Sequence, residues 1–418
     1  MSTFVSASMA PAAVSNRHGG WRQGDPVGQR LFSRPFGDQP LRLESGQSLG
    51  PITLAWERWG EFDAERSNAI LLLHGFSGDS HAAGPAGDGH DGVGWWDRLI
   101  GPGRAIDTER FCVICPNVLG GCQGSTGPAS PAADGRPYGS RFPLLSIRDM
   151  VAAERRLADL LGIERWHAVI GGSMGGMRAL EWAIGSPQRL KRLLLIATAA
   201  RCSADNLAVH TCQIEAIRQD PHFCGGDYDD QPGGGPRQGL ALARSLAQLT
   251  YLSAAELERQ LAADHIGASQ HQSDGKRAGN SDGNSNGNQS EAERDDPCDD
   301  DQGHGDREAA IAALLERDSW ALVQRFDANS YITLTRAMNR HDIGRGRGGL
   351  RAALARVTAQ TQVVAVSSDR LFPPCCQQEL AAGLPAGATY TTLYSDLGHD
   401  GFLAELEQLR LILGQVLG

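Results

Sequence analysis

The stretch HAVIGGSMGGMRALEWA, residues 167–183, sets one serine among four glycines, between an apolar run and an amphipathic one. Two readings compete for it. A phosphate-cradling loop would need G-x-G-x-x-G, or a lysine followed by Ser or Thr, and neither is present. A nucleophile elbow needs a strand, then Gly171-x-Ser173-x-Gly175, then a helix, which is the order found here. Glycine at both flanks has a steric reason: the nucleophile occupies a strained turn, and a side chain two residues away would collide with the adjoining backbone. The bend lifts the Ser173 hydroxyl clear of the sheet. It also leaves the Met174 N–H at the start of a helix, where an unpaired donor and the helix dipole stabilise an oxyanion.

Outward from this turn the chain alternates strands and helices. AILLLHG (69–75), RFCVICPNV (110–118), the apolar run ending at Gly172, and LKRLLLIATAA (190–200) read as buried strands. Between them SIRDMVAAERRLADLLGI (146–163) and MRALEWAIG (177–185) read as helices. LRLES (41–45) and ITLAWERWG (52–60) look like a hairpin ahead of the first buried strand. The alternation implies an α/β domain, a mostly parallel sheet with helices on both faces. The rhythm breaks over residues 204–342, which carry helical patterns and no convincing strand, and strand signal returns at TQVVAVSSD (361–369) and ATYTTLYSD (388–396). The expectation is a core built from 41–203 and 343–418, interrupted by a helical insertion placed as a lid. Residues 1–40 lack apolar periodicity and read as a disordered tail, and the polar tract at about 268–305 reads as disordered for want of apolar side chains.

The bulk numbers exclude several function classes. A formal charge of -10 and a pI near 5.6 offer no basic footprint for nucleic acid or an anionic membrane. No apolar run spans a bilayer and the first residues lack a secretory pattern, so a cytoplasmic protein is expected. Nine cysteines, an odd number, do not suggest a disulfide framework. Cys112 and Cys115 have CxxC spacing, but on a strand positions three apart point to opposite faces and cannot share a metal. Cys375 and Cys376 read as packing residues. His271, Cys298 and His304 match no ligand pattern, so no metal is expected.

A serine hydroxyl needs a base, and in this strand–turn–helix arrangement the partners follow in the order serine, acid, histidine. Asp369 stands just beyond a buried strand and His399 in the loop after the last one, both at strand carboxyl ends. Singly they could be a helix N-cap and a surface imidazole. Together with Ser173 they form a triad. His74-Gly75-Phe76 closes the first buried strand, and the Phe76 N–H is the expected second oxyanion donor; the His74 side chain reads as structural. His81, His90 and His210 have no identifiable partner and read as surface or packing residues.

GWWDRLIGPGRAIDT, CPNVLGGCQGSTGPAS, RPYGSRFPLLSIRDMV, IGGSMGGMRALEWA, RFDANSYITLTRAM and SDRLFPP with GHDGF closely resemble the homoserine O-acetyltransferase family, over roughly residues 40–268 and 306–418. The resemblance implies an α/β-hydrolase fold and transfer of acetyl from acetyl-CoA to the L-homoserine hydroxyl by a ping-pong route in methionine biosynthesis. By the same resemblance Arg244 holds the amino-acid carboxylate, Asp400 the ammonium, and Tyr251 lies near the substrate. No cofactor is implied beyond acetyl-CoA as co-substrate, and the implied assembly is a homodimer formed through the lid. Leu371 stands where succinyl-using relatives tend to carry arginine, which favours acetyl over succinyl. A succinyl-CoA-dependent transferase acting on homoserine or serine, or an esterase or thioesterase on the same triad, are the alternatives.

Overall fold

Aliphatic runs bounded by glycine-rich turns build one eight-stranded sheet. Its strands are β1 (Leu31–Ser33), β2 (Leu54–Trp59), β3 (Ala69–Leu73), β4 (Cys112–Pro116), β5 (Trp166–Gly172), β6 (Leu190–Ile196), β7 (Gln360–Val366) and β8 (Thr389–Leu393). The computed structural model describes residues 19–231, 233–262 and 299–418. The expectations for residues 1–18 and for most of the polar tract lie outside these. Across the sheet the order is β1-β2-β4-β3-β5-β6-β7-β8. β2 runs antiparallel to β1 and β4, and every pairing from β4 onward is parallel.

Side chains alternate across the strands and so create two cores. Leu71, Leu73, Val169, Leu193 and Leu195 face one side, where α1 (Ile147–Leu160) and α2 (Met174–Gly185) pack. Ile70, Leu72, Ile170, Leu194 and Ile196 face the other, covered by the C-terminal helix Leu406–Leu417. Cys112 belongs to the first core and Cys115 to the second, so their spacing does separate them. Helix α1 begins where the sequence provides a capping box: the Asp149 N–H donates to Ser146 Oγ at 3.2 Å and the Ser146 N–H to Asp149 Oδ2 at 2.8 Å.

Two expectations near the N-terminus need correction. LRLES does not pair with ITLAWERWG; Leu41–Arg42 pairs with Ser48–Leu49. Besides β4, the antiparallel neighbour of β2 is β1, inside the supposed tail, with Leu31 opposite Trp56. A three-residue edge strand has no periodicity to read, and its order comes from the ladder it joins. Residues 19–30 are ordered too, pinned by Trp21 N–H to the Cys122 carbonyl (2.8 Å) and by Arg22 to Asp229 (2.7 Å).

Between β6 and β7 the chain leaves the sheet as α3 (Ala204–Gln219), α4 (Arg237–Tyr251), a helical segment at 254–262, α5 (Asp299–Val323) and α6 (Ala328–Asn339). Its two ends are tied together at the base, where Cys202 N–H donates to the His341 carbonyl at 3.0 Å and Ile343 N–H to that of Ala200 at 3.1 Å. The helices lie over the carboxyl ends of the strands: Phe326 and Tyr331 place their rings 5.9 and 4.7 Å from that of Phe76, just after β3. Among the described residues no helix is long and apolar enough to cross a membrane.

Candidate active site

Ser173 sits at the junction of β5 and α2 with φ 58° and ψ -125°, a conformation a non-glycine residue adopts only when its surroundings enforce it. The enforcement is visible in the backbone. Ser173 N–H donates to the Ile196 carbonyl at 2.9 Å, and Thr198 Oγ1 donates to the Ser173 carbonyl at 2.8 Å. A Cβ on Gly171 would lie 2.2 Å from the Gly175 carbonyl oxygen, and one on Gly175 would lie 2.0 Å from that of Leu73. Both obstacles are main chain, which no rotamer change relieves.

His399 Nε2 lies 2.9 Å from Ser173 Oγ, and His399 Nδ1 lies 2.7 Å from Asp369 Oδ2. Asp369 is held from behind, because its Oδ1 accepts the Leu371 and Phe372 N–H groups at 2.9 Å each. The carboxylate thus caps its own turn and orients the imidazole. All three side chains are buried, and the ring of His399 is walled by Tyr251, Phe372 and Phe402 at 5.4 to 5.6 Å. Burial works against the imidazolium, but the charge and hydrogen bond of Asp369, with Asp400 adding to them, hold the His399 pKa above its ordinary value. A neutral ring with its proton on Nδ1, fixed by Asp369, presents a lone pair to the serine.

Met174 is the first residue of α2, so its N–H has no intrahelical acceptor. The His74-Gly75-Phe76 loop lies against the nucleophile: a Cβ on Gly75 would be 3.6 Å from Ser173 Cβ. The start of α2 and the loop that ends β3 therefore both adjoin the serine.

A cavity of about 310 Å³ opens onto Ser173 and His399, and Tyr251, Asp400 and Arg325 line it. Asp400 makes no capping hydrogen bond to the short helix it precedes. Arg244 is not among the lining residues. Its guanidinium stacks over the Tyr251 ring at 5.0 Å, on α4, so it adjoins the cavity through that ring. Burial, with Asp400 acting in the same sense and Arg244 against it, raises the Tyr251 pKa.

Several residues around this cavity escaped the sequence. Arg325 lines it, and among the described residues no carboxylate lies within ion-pair distance. It stands in RFDAN, one residue ahead of Phe326, with nothing local to mark it. Arg30, from the supposed tail, forms another part of the wall, donating to the Gly89 carbonyl at 2.6 Å and to Gln123 Oε1 at 3.0 Å. His81 and His90 are buried beside Glu57. His81 Nδ1 is 2.9 Å from Glu57 Oε2 and its Nε2 is 3.2 Å from the Pro85 carbonyl, so both nitrogens face acceptors. Burial opposes charge on His81, yet Glu57 raises its pKa. The His90 ring stacks on it at 3.8 Å and 12°, with Nε2 accepting the Gln29 N–H at 3.2 Å. Both rings turn a nitrogen toward the same carboxylate, His90 Nε2 lying 3.7 Å from Glu57 Oε1, so that one ligand atom from each of Glu57, His81 and His90 lies within 4.8 Å of the others. His210 is also buried, with Nδ1 2.6 Å from Asn339 Oδ1. Glu57, Gln29 and Asn339 stand 24, 61 and 129 residues from the histidines they meet, so no local pattern announces them. Cys375 departs from the packing expectation as well, since it is exposed.

A family model described as the alpha/beta hydrolase fold matches residues 68–406, and the chain belongs to that class of protein. Two solved structures share its architecture over 93% of the chain: esterase E22 (28% identity, TM-score 0.75, 99% of that chain) and homoserine O-acetyltransferase from Bacillus anthracis (26% identity, TM-score 0.76, 96% of that chain). Sequence separates these two directions. The chain is 47% identical over 399 residues to the homoserine O-acetyltransferase of Thermobifida fusca (strain YX), covering 96% of each. It belongs to the homoserine O-acetyltransferase family of acyltransferases.

Proposed function

We propose that this protein moves an acetyl group from acetyl-CoA to the hydroxyl of L-homoserine, through an acetyl-Ser173 intermediate, in the cytoplasmic route to methionine. The observation that carries the reading is Asp400, one residue beyond His399 and lining the same cavity as Ser173. It offers an ammonium-binding charge where a simple ester hydrolase has no need of one.

His399, oriented by Asp369, takes the proton of Ser173 as Oγ attacks the thioester carbonyl. The Phe76 and Met174 N–H groups hold the oxyanion, and the thiol of CoA leaves with the proton from His399. In the second half the same imidazole deprotonates the homoserine hydroxyl, which attacks the acetyl-enzyme. Asp400 binds the ammonium, and Arg244, with Tyr251 stacked on it, binds the carboxylate; charge-assisted bonds at both ends orient the zwitterion. Water has neither handle. Burial of Ser173 beneath the insertion further limits hydrolysis. The reaction needs no cofactor or metal besides the co-substrate.

Acetyl is favoured over succinyl because Leu371 is buried and Arg370 points to solvent, leaving no cation two residues beyond Asp369 for a second carboxylate. Leu207 on α3 and Leu242 and Leu249 on α4 are exposed, which supports a homodimer formed through the insertion. Incubating the enzyme with acetyl-CoA and recording free thiol tests the activity. Thiol release should rise sharply with homoserine and yield O-acetylhomoserine; release indifferent to homoserine, with acetate as product, identifies an esterase or thioesterase instead. Succinyl-CoA and serine, supplied in turn, test the donor and the acceptor.

A further inference from the structure

His74 is buried directly after β3, and its ring bridges two backbone groups. The Val118 N–H donates to His74 Nε2 at 3.1 Å, so that nitrogen carries the lone pair and the ring proton is on Nδ1. Nδ1 lies 2.7 Å from the carbonyl oxygen of Gly75, to which it donates. Burial, with the nearby Arg178 charge adding to it, pushes the His74 pKa down to about 3, which keeps the ring neutral in this tautomer. The Gly75 carbonyl belongs to the same peptide as the Phe76 N–H, and in a trans peptide the two point in opposite directions. Whatever fixes that carbonyl also fixes where the N–H points. Among the described residues one other donor reaches the same oxygen, the Gly78 N–H at 3.2 Å. The backbone of His74 is itself anchored, since its carbonyl accepts from Arg178 Nη1 at 3.2 Å on α2, the helix that also presents the Met174 N–H.

We infer that His74 is a positioning residue of the reaction: its Nδ1–H holds the Gly75–Phe76 peptide so that the Phe76 N–H faces the oxyanion formed on Ser173. The inference rests on the proposed acyl-serine chemistry, and it gives a catalytic consequence to a side chain that otherwise reads as packing. No proton leaves His74 in the cycle; it acts through the peptide it holds.

The test compares His74→Gln and His74→Asn. Glutamine can still accept from Val118 through its longer amide but offers no donor at the Nδ1 position, whereas the asparagine amide N–H occupies that position. Acylation is followed by stopped flow with p-nitrophenyl acetate and with its thiono analogue, whose sulfur takes weaker hydrogen bonds, and thermal melting is recorded for each variant. H74Q should acylate about 100-fold more slowly with the ester, the scale of a lost oxyanion donor, and lose much less with the thionoester. H74N should recover most of the ester rate. An unchanged ester rate in H74Q, or equal losses on ester and thionoester in both variants, would overturn the assignment. If H74Q does not fold, H74N decides: the wild-type ester-to-thionoester ratio supports the role and a collapsed ratio refutes it. Failure of the wild type to form an acetyl-enzyme from acetyl-CoA would instead sink the proposed function and leave this ester comparison standing.

Discussion

Gly175→Ala is the sharpest probe of the elbow. The added methyl would lie 2.0 Å from the Leu73 carbonyl oxygen and 2.8 Å from that of His74, while ordinary contact begins at 3.4 Å. The start of α2 and the end of β3 must therefore part by about 1.4 Å, and neither can yield by rotating a side chain. Each element carries one expected oxyanion donor, Met174 on α2 and Phe76 just beyond β3, so the same displacement pulls the two N–H groups apart. Overpacking of this kind costs about 1–3 kcal/mol of stability, and misplacing a reacting group by about 1 Å costs on the order of 100-fold in rate. Urea denaturation and steady-state turnover with acetyl-CoA and homoserine measure both. Gly414→Ala is the control: nothing lies within 4 Å of its Cβ, on the exposed side of the last helix, so turnover should hold while stability rises. That gain should be about 0.5–1 kcal/mol. A folded G175A enzyme with wild-type turnover and stability would refute the steric account of the turn.

Because the His399 pKa is raised above 6.5 and only the neutral ring is a base, acylation should fall as pH drops through a midpoint above 6.5. Asp369→Asn removes the carboxylate responsible, so this acid limb should move to lower pH and the maximal rate should drop by about 10⁴-fold; a pH–rate profile reads both. Arg244→Ala and Asp400→Asn should each raise the half-saturating homoserine concentration by about 10–100-fold, the scale of a lost charged hydrogen bond. The acetyl-loading step, followed as burst thiol release, should stay within a few fold; equal damage to both halves would refute their assignment to the acceptor. Arg178 and Glu154 form a buried ion pair at 2.7 Å between α2 and α1, with the Trp182 indole N–H on the same carboxylate. Arg178→Met leaves that carboxylate without its cation and should destabilise the protein by about 3–5 kcal/mol, read from chemical denaturation.

The parallel core was legible because buried strands announce themselves as uninterrupted aliphatic runs, and AILLL is wholly buried. The triad was legible because its chemistry fixes residue types, chain order and position at strand ends. Pairing partners without a local pattern were not. β1 is three residues of a segment that reads as tail, ordered by its ladder with β2 and by side-chain contacts such as Trp56 Nε1–H to Ser33 Oγ at 3.0 Å. Arg30, Arg325 and His81 reach the cavity wall from separate elements, so their proximity is a product of the fold. His74 shows a further limit: the residue was visible, but its consequence depends on which nitrogen meets the Val118 N–H.

The central claim is that Ser173 carries the acetyl group between two substrates. Mixing the enzyme with acetyl-CoA alone, quenching in acid and mapping the peptides by mass spectrometry tests it directly. The account predicts one acetyl group on the peptide containing Ser173, absent in S173A and discharged to O-acetylhomoserine when homoserine is added before the quench. An unmodified Ser173 peptide under conditions that still produce O-acetylhomoserine would contradict it.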